Sequence, residues 1–276
     1  MIEMQIPALD FVAMKKCQVR IDNLTKPLNS LHYFEIIAKK LAGITENPSP
    51  KIIPRKILVL KKEEQEVDLP LAIFAKRVQA PIVSISIPRL RELSTGTYFK
   101  ESLKICSDYI REEKQIIGLG QNGIDAEKDC QLIFDYYCQN EIEQMPFNKI
   151  DKGIVFLSSL IIAAAQKRCL VVLDGLSTSL AALIATKINP KVKDYLLASH
   201  YSISPKQREA LELLDIPAYL HLDLQGDCGL GAALGISLVD AALHMLNDMK
   251  TFGEADVAVA NDGPGAIKQN KNIKDM

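Results

Sequence analysis

Apolar positions along the chain recur with two periods. Short runs of strand length lie at 56–60, 81–87, 115–119, 169–173, 195–198 and 218–224. Between them, apolar residues at helical spacing predict helices over 71–78, 98–113, 126–140, 152–167, 179–187 and 205–214. Runs such as Leu170-Val171-Val172-Leu173 are apolar throughout, the pattern of parallel strands covered on both faces. The alternation predicts an α/β fold: a doubly wound, mostly parallel sheet with helices on both faces.

The flanks read differently. Residues 6–44 read as helical, with Leu31, Phe34, Ala38, Leu41 and Ala42 on one face and Gly43 as a stop. Pro48, Pro50 and Pro54 then mark a linker. After 231 an Ala/Leu-rich segment at helical spacing runs to about Met249. The expected organisation is a helical segment at 1–50 packing with 236–276 as a small domain, around a Rossmann-like α/β domain at 51–235.

Composition narrows the classes. The chain has 276 residues, enough for a large core, and a formal net charge of −1, which points away from a nucleic-acid or anionic-membrane surface. No unbroken apolar run reaches the ~18 residues of a membrane span. The first sixteen residues carry acids before any basic region and no apolar h-region, unlike a secretory signal. Six cysteines (17, 106, 130, 138, 169 and 228) form no CxxC pair, so reduced thiols are expected rather than disulfides or a zinc site. The expectation is a soluble cytoplasmic protein with no metal and no cofactor, and with neither nucleic acid nor membrane as partner.

In doubly wound folds ligands gather beyond the carboxyl ends of the strands, and four strand ends carry suggestive residues. Gly118-x-Gly120-x-x-Gly123 formally matches a dinucleotide fingerprint but lacks an acidic residue ending a strand about 20 positions on. Asp174-Gly175 could orient a ligand or cap the next helix, and capping is the commoner role of such an Asp. Ser199-His200-x-Ser202 could suggest nucleophile and base, yet adjacent residues usually point apart and no G-x-S-x-G elbow is present. His221 and His244 fall in strand and helix patterns and read as structural. The last strand runs into a turn with Gly226, Gly229 and Gly231 before a helix, the shape of an anion site. Cys228 inside it reads as an activated thiolate or, more plainly, as a small residue tolerated in a tight turn.

Several of these segments recur together in one known family. Asp174-Gly175-Leu-Ser, Asn189-Pro190-x-Val192-Lys-Asp-Tyr195-Leu-x-Ala-Ser199-His200-x-Ser202, Arg208-x-Ala210-Leu211 and Gly229-x-Gly231-Ala232-Ala233-Leu234 resemble nicotinate-nucleotide:dimethylbenzimidazole phosphoribosyltransferases in order and spacing. Leu24-Thr-Lys26-Pro27-Leu-Asn-Ser30-Leu31 and the tail from Met245 to Ala255 are similar too. The match is dense over 150–255, recognisable over 20–44 and thin over 55–150. The resemblance implies transfer of phosphoribosyl from nicotinate mononucleotide to an aromatic base, in making the lower ligand of cobalamin. In the family a glutamate inside the glycine turn is the general base, and glycine-rich loops hold the phosphate.

The chain departs from that pattern where the chemistry is done. The family's Gly-Glu-Gly-x-Gly-Ala becomes Asp227-Cys228-Gly229-Leu230-Gly231-Ala232, which puts Cys228 at the glutamate position and leaves Asp227 as a possible substitute one residue away. A thiol, with an ordinary pKa near ~8.5, replaces a carboxylate base poorly at neutral pH. Gly-Gly-Phe-Asp/Glu becomes Ile150-Asp151-Lys152-Gly153, Gly-Glu-x-Gly-x-x-Asn-Thr-Thr becomes the segment from Gly120-Gln121 to Lys128, and Asp-His-Gly becomes Lys61-Lys62-Glu63. Segments usual in the family are also missing before residue 150. What the resemblance leaves is a vestigial substrate site of Gly120, Gln121, Gly153, Asp174, Gly175, Ser199, Ser202, Gly229 and Gly231. It is similar to the degenerate subunit of a two-subunit branch that attaches phenolic lower ligands. The expected partner is a full-length paralogue in a heterodimer, with nicotinate mononucleotide and an aromatic base or phenol as substrates. The alternatives are an autonomous phosphoribosyltransferase with an altered acceptor, and a non-catalytic protein that binds a nucleotide or aromatic ligand. Whether the chain is itself an enzyme stays open at this point.

Overall fold

The computed structural model describes residues 5–61, 69–86, 98–139 and 147–256. Lys62 and Glu63, at the place of the family's Asp-His-Gly, lie outside them. By internal contacts the chain divides into two compact units, Met1–Ala8 with Pro54–Ile236, and Leu9–Ile53 with Ser237–Met276.

In the second unit, α1 (Phe11–Asp22) is capped by Asp10, whose Oδ1 accepts from the N–H groups of Val12 and Ala13 at 2.8 and 2.9 Å. The continuous helical reading of 6–44 is corrected here. The chain leaves α1 at Asn23 and re-enters a helix only at α2 (His32–Thr45). Pro27, which has no N–H and clashes with the preceding turn, sits in the gap. There Leu24 instead bridges Thr251 in antiparallel fashion. Within this unit Lys26 Nζ meets Glu35 Oε1 at 2.7 Å, with both side chains nearly fully buried.

The first unit is built on six strands: β1 (Arg55–Lys61), β2 (Ile82–Ser86), β3 (Ile116–Asn122), β4 (Leu170–Leu173), β5 (Leu196–Ser202) and β6 (Ala218–Leu224). All neighbours are parallel, in the order β2-β1-β3-β4-β5-β6. Gly118 of β3 faces Ile57 of β1 and Val172 of β4 in register. The intervening helices are α3 (Leu69–Arg77), α4 (Tyr98–Tyr109), α5 (Cys130–Cys138), α6 (Lys152–Gln166), α7 (Leu176–Ile188) and α8 (Pro205–Leu214). α6 and α7 are apolar nearly all round, and both are buried along almost their whole length. The predicted α/β fold, a parallel sheet with helices on both faces, is what forms.

α9 (Leu230–Asp248) starts in the first unit, where Ala232 and Ile236 lie against Gly118 of β3, and Gly235 lies against Val172 and Leu197. Its 19 residues have a mean hydropathy of 1.4 over the most apolar window, enough by length and composition to cross a membrane, and 56% of that window is buried. Ser237, Asp240 and His244 interrupt its apolar run.

Three boundaries differ in ways that matter for the site. β3 runs on to Asn122 instead of ending at Leu119, so Gly120 and Gln121 join Gly118 in the strand. β5 runs on to Ser202, which makes Ser199 and His200 strand residues too. α7 begins at Leu176, three residues earlier than its periodicity suggests, because Ser177, Thr178 and Ser179 are all drawn into its buried first turn.

Candidate active site

The carboxyl ends of β3, β4 and β5 converge on one polar cluster, beside the point where the sheet order reverses between β1 and β3. β4 ends at Leu173, and the chain turns through Asp174 and Gly175 into α7. The turn is fixed by its own hydroxyls. Thr178 Oγ1 and Ser179 Oγ donate to Gly175 O at 3.1 and 2.8 Å, and the Asp174 N–H donates to Thr178 Oγ1 at 3.0 Å.

The glycine turn after β6 folds onto this corner. Gly229 has φ +101°, a backbone that a side chain would strain, and its nitrogen packs against Gly120 of β3. The Gln121 N–H donates to Asp227 O at 2.5 Å, which fixes the turn to the end of β3. The Asp227 carboxylate then reaches α7. Oδ1 accepts from the Leu176 N–H at 3.0 Å and Oδ2 from the Ser177 N–H at 2.8 Å. Oδ1 lies where a Cβ at position 175 would be, so only glycine admits it.

Asp174 is corrected as the cap of α7, whose N-cap residue is Gly175, without a side-chain bond. Asp174 instead turns inward. Its Oδ2 accepts from the Gly229 N–H at 2.5 Å, and its Oδ1 lies 3.9 Å from His200 Nδ1. The expectation that Ser199 and His200 point apart is corrected as well, since Ser199 Oγ is 2.7 Å from His200 Nδ1. Both residues are fully buried, which denies a substrate the access that a nucleophile and base would need.

Burial pushes the Asp174 carboxyl well above the usual carboxylate range, and the nearby Asp227 charge adds to it, against the pull of the Gly229 and Gly231 N–H groups. Burial lowers the His200 imidazole, partly opposed by Asp227. Both shifts favour the uncharged forms, which weakens the 3.9 Å contact as an ion pair. Among the described residues no group of three His, Cys, Asp or Glu side chains is placed to hold a metal.

The structure brings Gly120, Gln121, Asp174, Gly175, Asp227, Gly229 and Gly231 together, with Ser199 joined through His200. Gln121 also holds Ser177 Oγ through its Nε2 at 3.0 Å. Gly153 stands one layer away in the first turn of α6, packed against Ile124, whose N–H donates to Gln121 Oε1 at 2.8 Å. Ser202 lies outside the cluster, its N–H bound to Gln207 Oε1 and its hydroxyl accepting from the Ser204 N–H. Cys228 is half-buried and forms no disulfide. His221 is exposed beside the Tyr201 ring and His244 is exposed beside Asp248. Sequence reasoning missed Ser177 and Gln207. Gln207 Nε2 donates to the carbonyls of His200 and Asp174, and the helix pattern around Gln207 gives no sign of that inward reach.

A phosphoribosyltransferase family model, DBI_PRT, matches residues 6–64 and 152–257, more than half of the chain. The chain belongs to this family. The nicotinate-nucleotide–dimethylbenzimidazole phosphoribosyltransferase of Ruminiclostridium cellulolyticum is 25% identical over 336 aligned positions, covering 91% of this chain and 96% of its own. That of Alkaliphilus metalliredigens is 25% identical and covers 92% and 97%. The crystal structure of the Thermus thermophilus phosphoribosyltransferase superposes with a TM-score of 0.76 at 20% identity, over 91% of this chain and 99% of that one, which establishes the shared fold. Alignments of 336 positions exceed the 276 residues present, so these relatives carry internal segments the chain lacks. The phosphoribosyltransferase family model leaves 65–151 unmatched, and the whole glycine-turn corner at 174–231 falls inside its second match.

Proposed function

We propose that this chain is a catalytically degenerate, cytoplasmic subunit of the phosphoribosyltransferase family, paired with a full-length paralogue in activating the lower ligand of a cobamide. The observation that carries this reading is the state of the glycine turn. Cys228 stands at the family's glutamate position, and the neighbouring carboxylate of Asp227 is held by two N–H groups of α7. A general base must reach the proton it removes. Asp227 is held away from that task, and a thiol is mostly protonated at neutral pH.

On this reading the paralogue supplies the base and the phosphate loops. Gly120, Gln121, Asp174, Gly175, Gly229 and Gly231 are the retained wall of the substrate cleft, with Gly153, Ser199 and Ser202 as its support. The relatives are named for nicotinate nucleotide and dimethylbenzimidazole. The corresponding ligands here are nicotinate mononucleotide and an aromatic base or phenol. The helices at the two ends of the chain are kept while the catalytic loops are not, as suits a subunit joined by a large obligate interface.

A second reading, an autonomous transferase with Asp227 as base, is favoured by one observation. The Asp227 side chain faces the same corner as Asp174 and Gln121, where a residue beside the family position would ordinarily point elsewhere. One assay separates the two. Nicotinate mononucleotide with dimethylbenzimidazole or phenol is given to this chain, the paralogue, and both together. The subunit reading expects turnover only where the paralogue is present, and co-purification of the two chains. Robust turnover by this chain alone, lost in Asp227→Asn, would overturn it.

A further inference from the structure

The amino end of the sheet carries a cleft of its own, between the last turn of α4 and the starts of β1 and β2. We infer that this cleft is a binding site for a small monoanionic carboxylate with an apolar body. It lies about 20 Å along β3 from the carboxyl-end corner and is separate from the degenerate-subunit reading.

The stagger of the strands opens the cleft. β1 pairs with β3 from Arg55 onward but with β2 only from Ile57 onward, so its first two residues have no β2 neighbour. Pro81 ends that side, since it has no N–H for a further ladder bond. The rim is fixed by backbone bonds: Pro54 O accepts from the Ile116 N–H at 2.8 Å and Pro81 O from the Ile57 N–H at 2.9 Å. The space left is about 300 Å³, the scale of a small-molecule site. Pro81 and the lining residues from Asp108 to Gln115 fall in the stretch that the family model leaves unmatched, so the cleft is built in part from sequence particular to this chain.

The lining sets the class of ligand. Pro54, Pro81 and Tyr109 supply apolar surface, and Arg55, Lys56 and Arg111 bring three positive charges against the two negative charges of Asp108 and Glu112. Two of these groups are already engaged. Lys56 Nζ donates to Tyr109 O at 2.6 Å, which satisfies a carbonyl at the end of α4, and Glu112 Oε2 accepts from Gln115 Nε2 at 2.6 Å. Arg111 is bound through Nε alone, to Asp108 O at 3.1 Å, so the terminal nitrogens of its guanidinium have no partner among the described residues. Such a planar fork takes a carboxylate through two N–H groups. An excess of one positive charge suits a monoanion, and the Asp108 carboxylate repels a dianion.

The test is titration of benzoate, inorganic phosphate and uncharged benzamide into the full chain and its Arg111→Gln and Asp108→Asn variants, read by calorimetry and by amide chemical shifts. Both substituted residues are exposed, so the variants should fold. The expected result is saturable benzoate binding that shifts the amides of Lys56, Arg111 and Gln115, weakens about tenfold in Arg111→Gln and tightens in Asp108→Asn. Phosphate should bind more weakly than benzoate, and benzamide hardly at all. Absence of saturable benzoate binding, equal benzoate affinity in wild type and Arg111→Gln, or shifts centred on Ser177 and Gly229 overturn the proposal. Benzamide or phosphate binding as tightly as benzoate overturns it too. Each of these results leaves the subunit reading standing, since the subunit reading fails on turnover by the unaided chain.

Discussion

The Ser177 N–H donates to Asp227 Oδ2 at 2.8 Å, which joins residues fifty positions apart in the chain. The first turn of α7 is thus closed by a carboxylate delivered from beyond β6. This one contact ties the β4–α7 corner to the glycine turn, both within the second stretch matched by the phosphoribosyltransferase family.

The stability of α7 should depend on that contact. Asp227→Ala removes acceptors from two N–H groups at a helix start and is expected to cost about 1 kcal/mol, the usual scale for a lost N-terminal cap. Urea unfolding measures it as a fall in midpoint at constant slope.

Gly175 and Asp227 should be energetically coupled. A methyl group at 175 collides with Asp227 Oδ1, so Gly175→Ala alone is expected to destabilise by roughly 1–3 kcal/mol, the range for overpacking. In an Asp227→Ala background the obstacle is gone and the penalty should shrink to a fraction of that. A double-mutant cycle reads the difference directly, and additive effects would refute the contact.

The buried acid gives a pH signature. The folded-state pKa of Asp174 is raised, so between the unfolded carboxylate value and the folded one the native state binds more protons than the unfolded state. Its contribution to stability is full below the unfolded pKa, near ~4, and is lost as pH rises towards the folded value. His200 has a lowered pKa, so its neutral native form costs stability as pH falls below the imidazole's ordinary ~6.5. Asp174→Asn should remove the alkaline-side decline and keep the acid-side one. Thermal midpoints from about pH 4 to about pH 9 test the sign.

In the helical unit the Lys26–Glu35 pair makes an asymmetric prediction. Breaking a buried ion pair by Glu35→Leu alone leaves an uncompensated buried charge and should cost about 3–5 kcal/mol. Replacing both partners, Lys26→Met with Glu35→Leu, should recover most of the loss. Denaturant unfolding of the three variants decides between this and an additive result.

Thiol reactivity follows burial. Cys17, Cys106, Cys130 and Cys169 are buried, with burial raising each thiol, Cys17 to about 12 and Cys130 and Cys169 to about 11. Exposed Cys138 should react first with an alkylating reagent, half-buried Cys228 next, and the other four only on unfolding. Mass spectrometry over a labelling time course gives the order.

The sequence by itself determined the sheet and the family. Six apolar runs of strand length, separated by helical periods, leave few ways to bury their faces other than a parallel sheet under two layers of helix. The spacing of Asp174-Gly175, Ser199-His200 and Gly229-x-Gly231 carried the resemblance. Only the tertiary structure decided what these residues do. Periodicity describes each element's own face and is silent about which residue from another element completes it. The cap of α7 is therefore Asp227 and not Asp174, because β6 returns the glycine turn to the end of β3. Asp174 is freed to turn inward, where burial favours its neutral form, a condition set by everything packed around it and by nothing local in the chain.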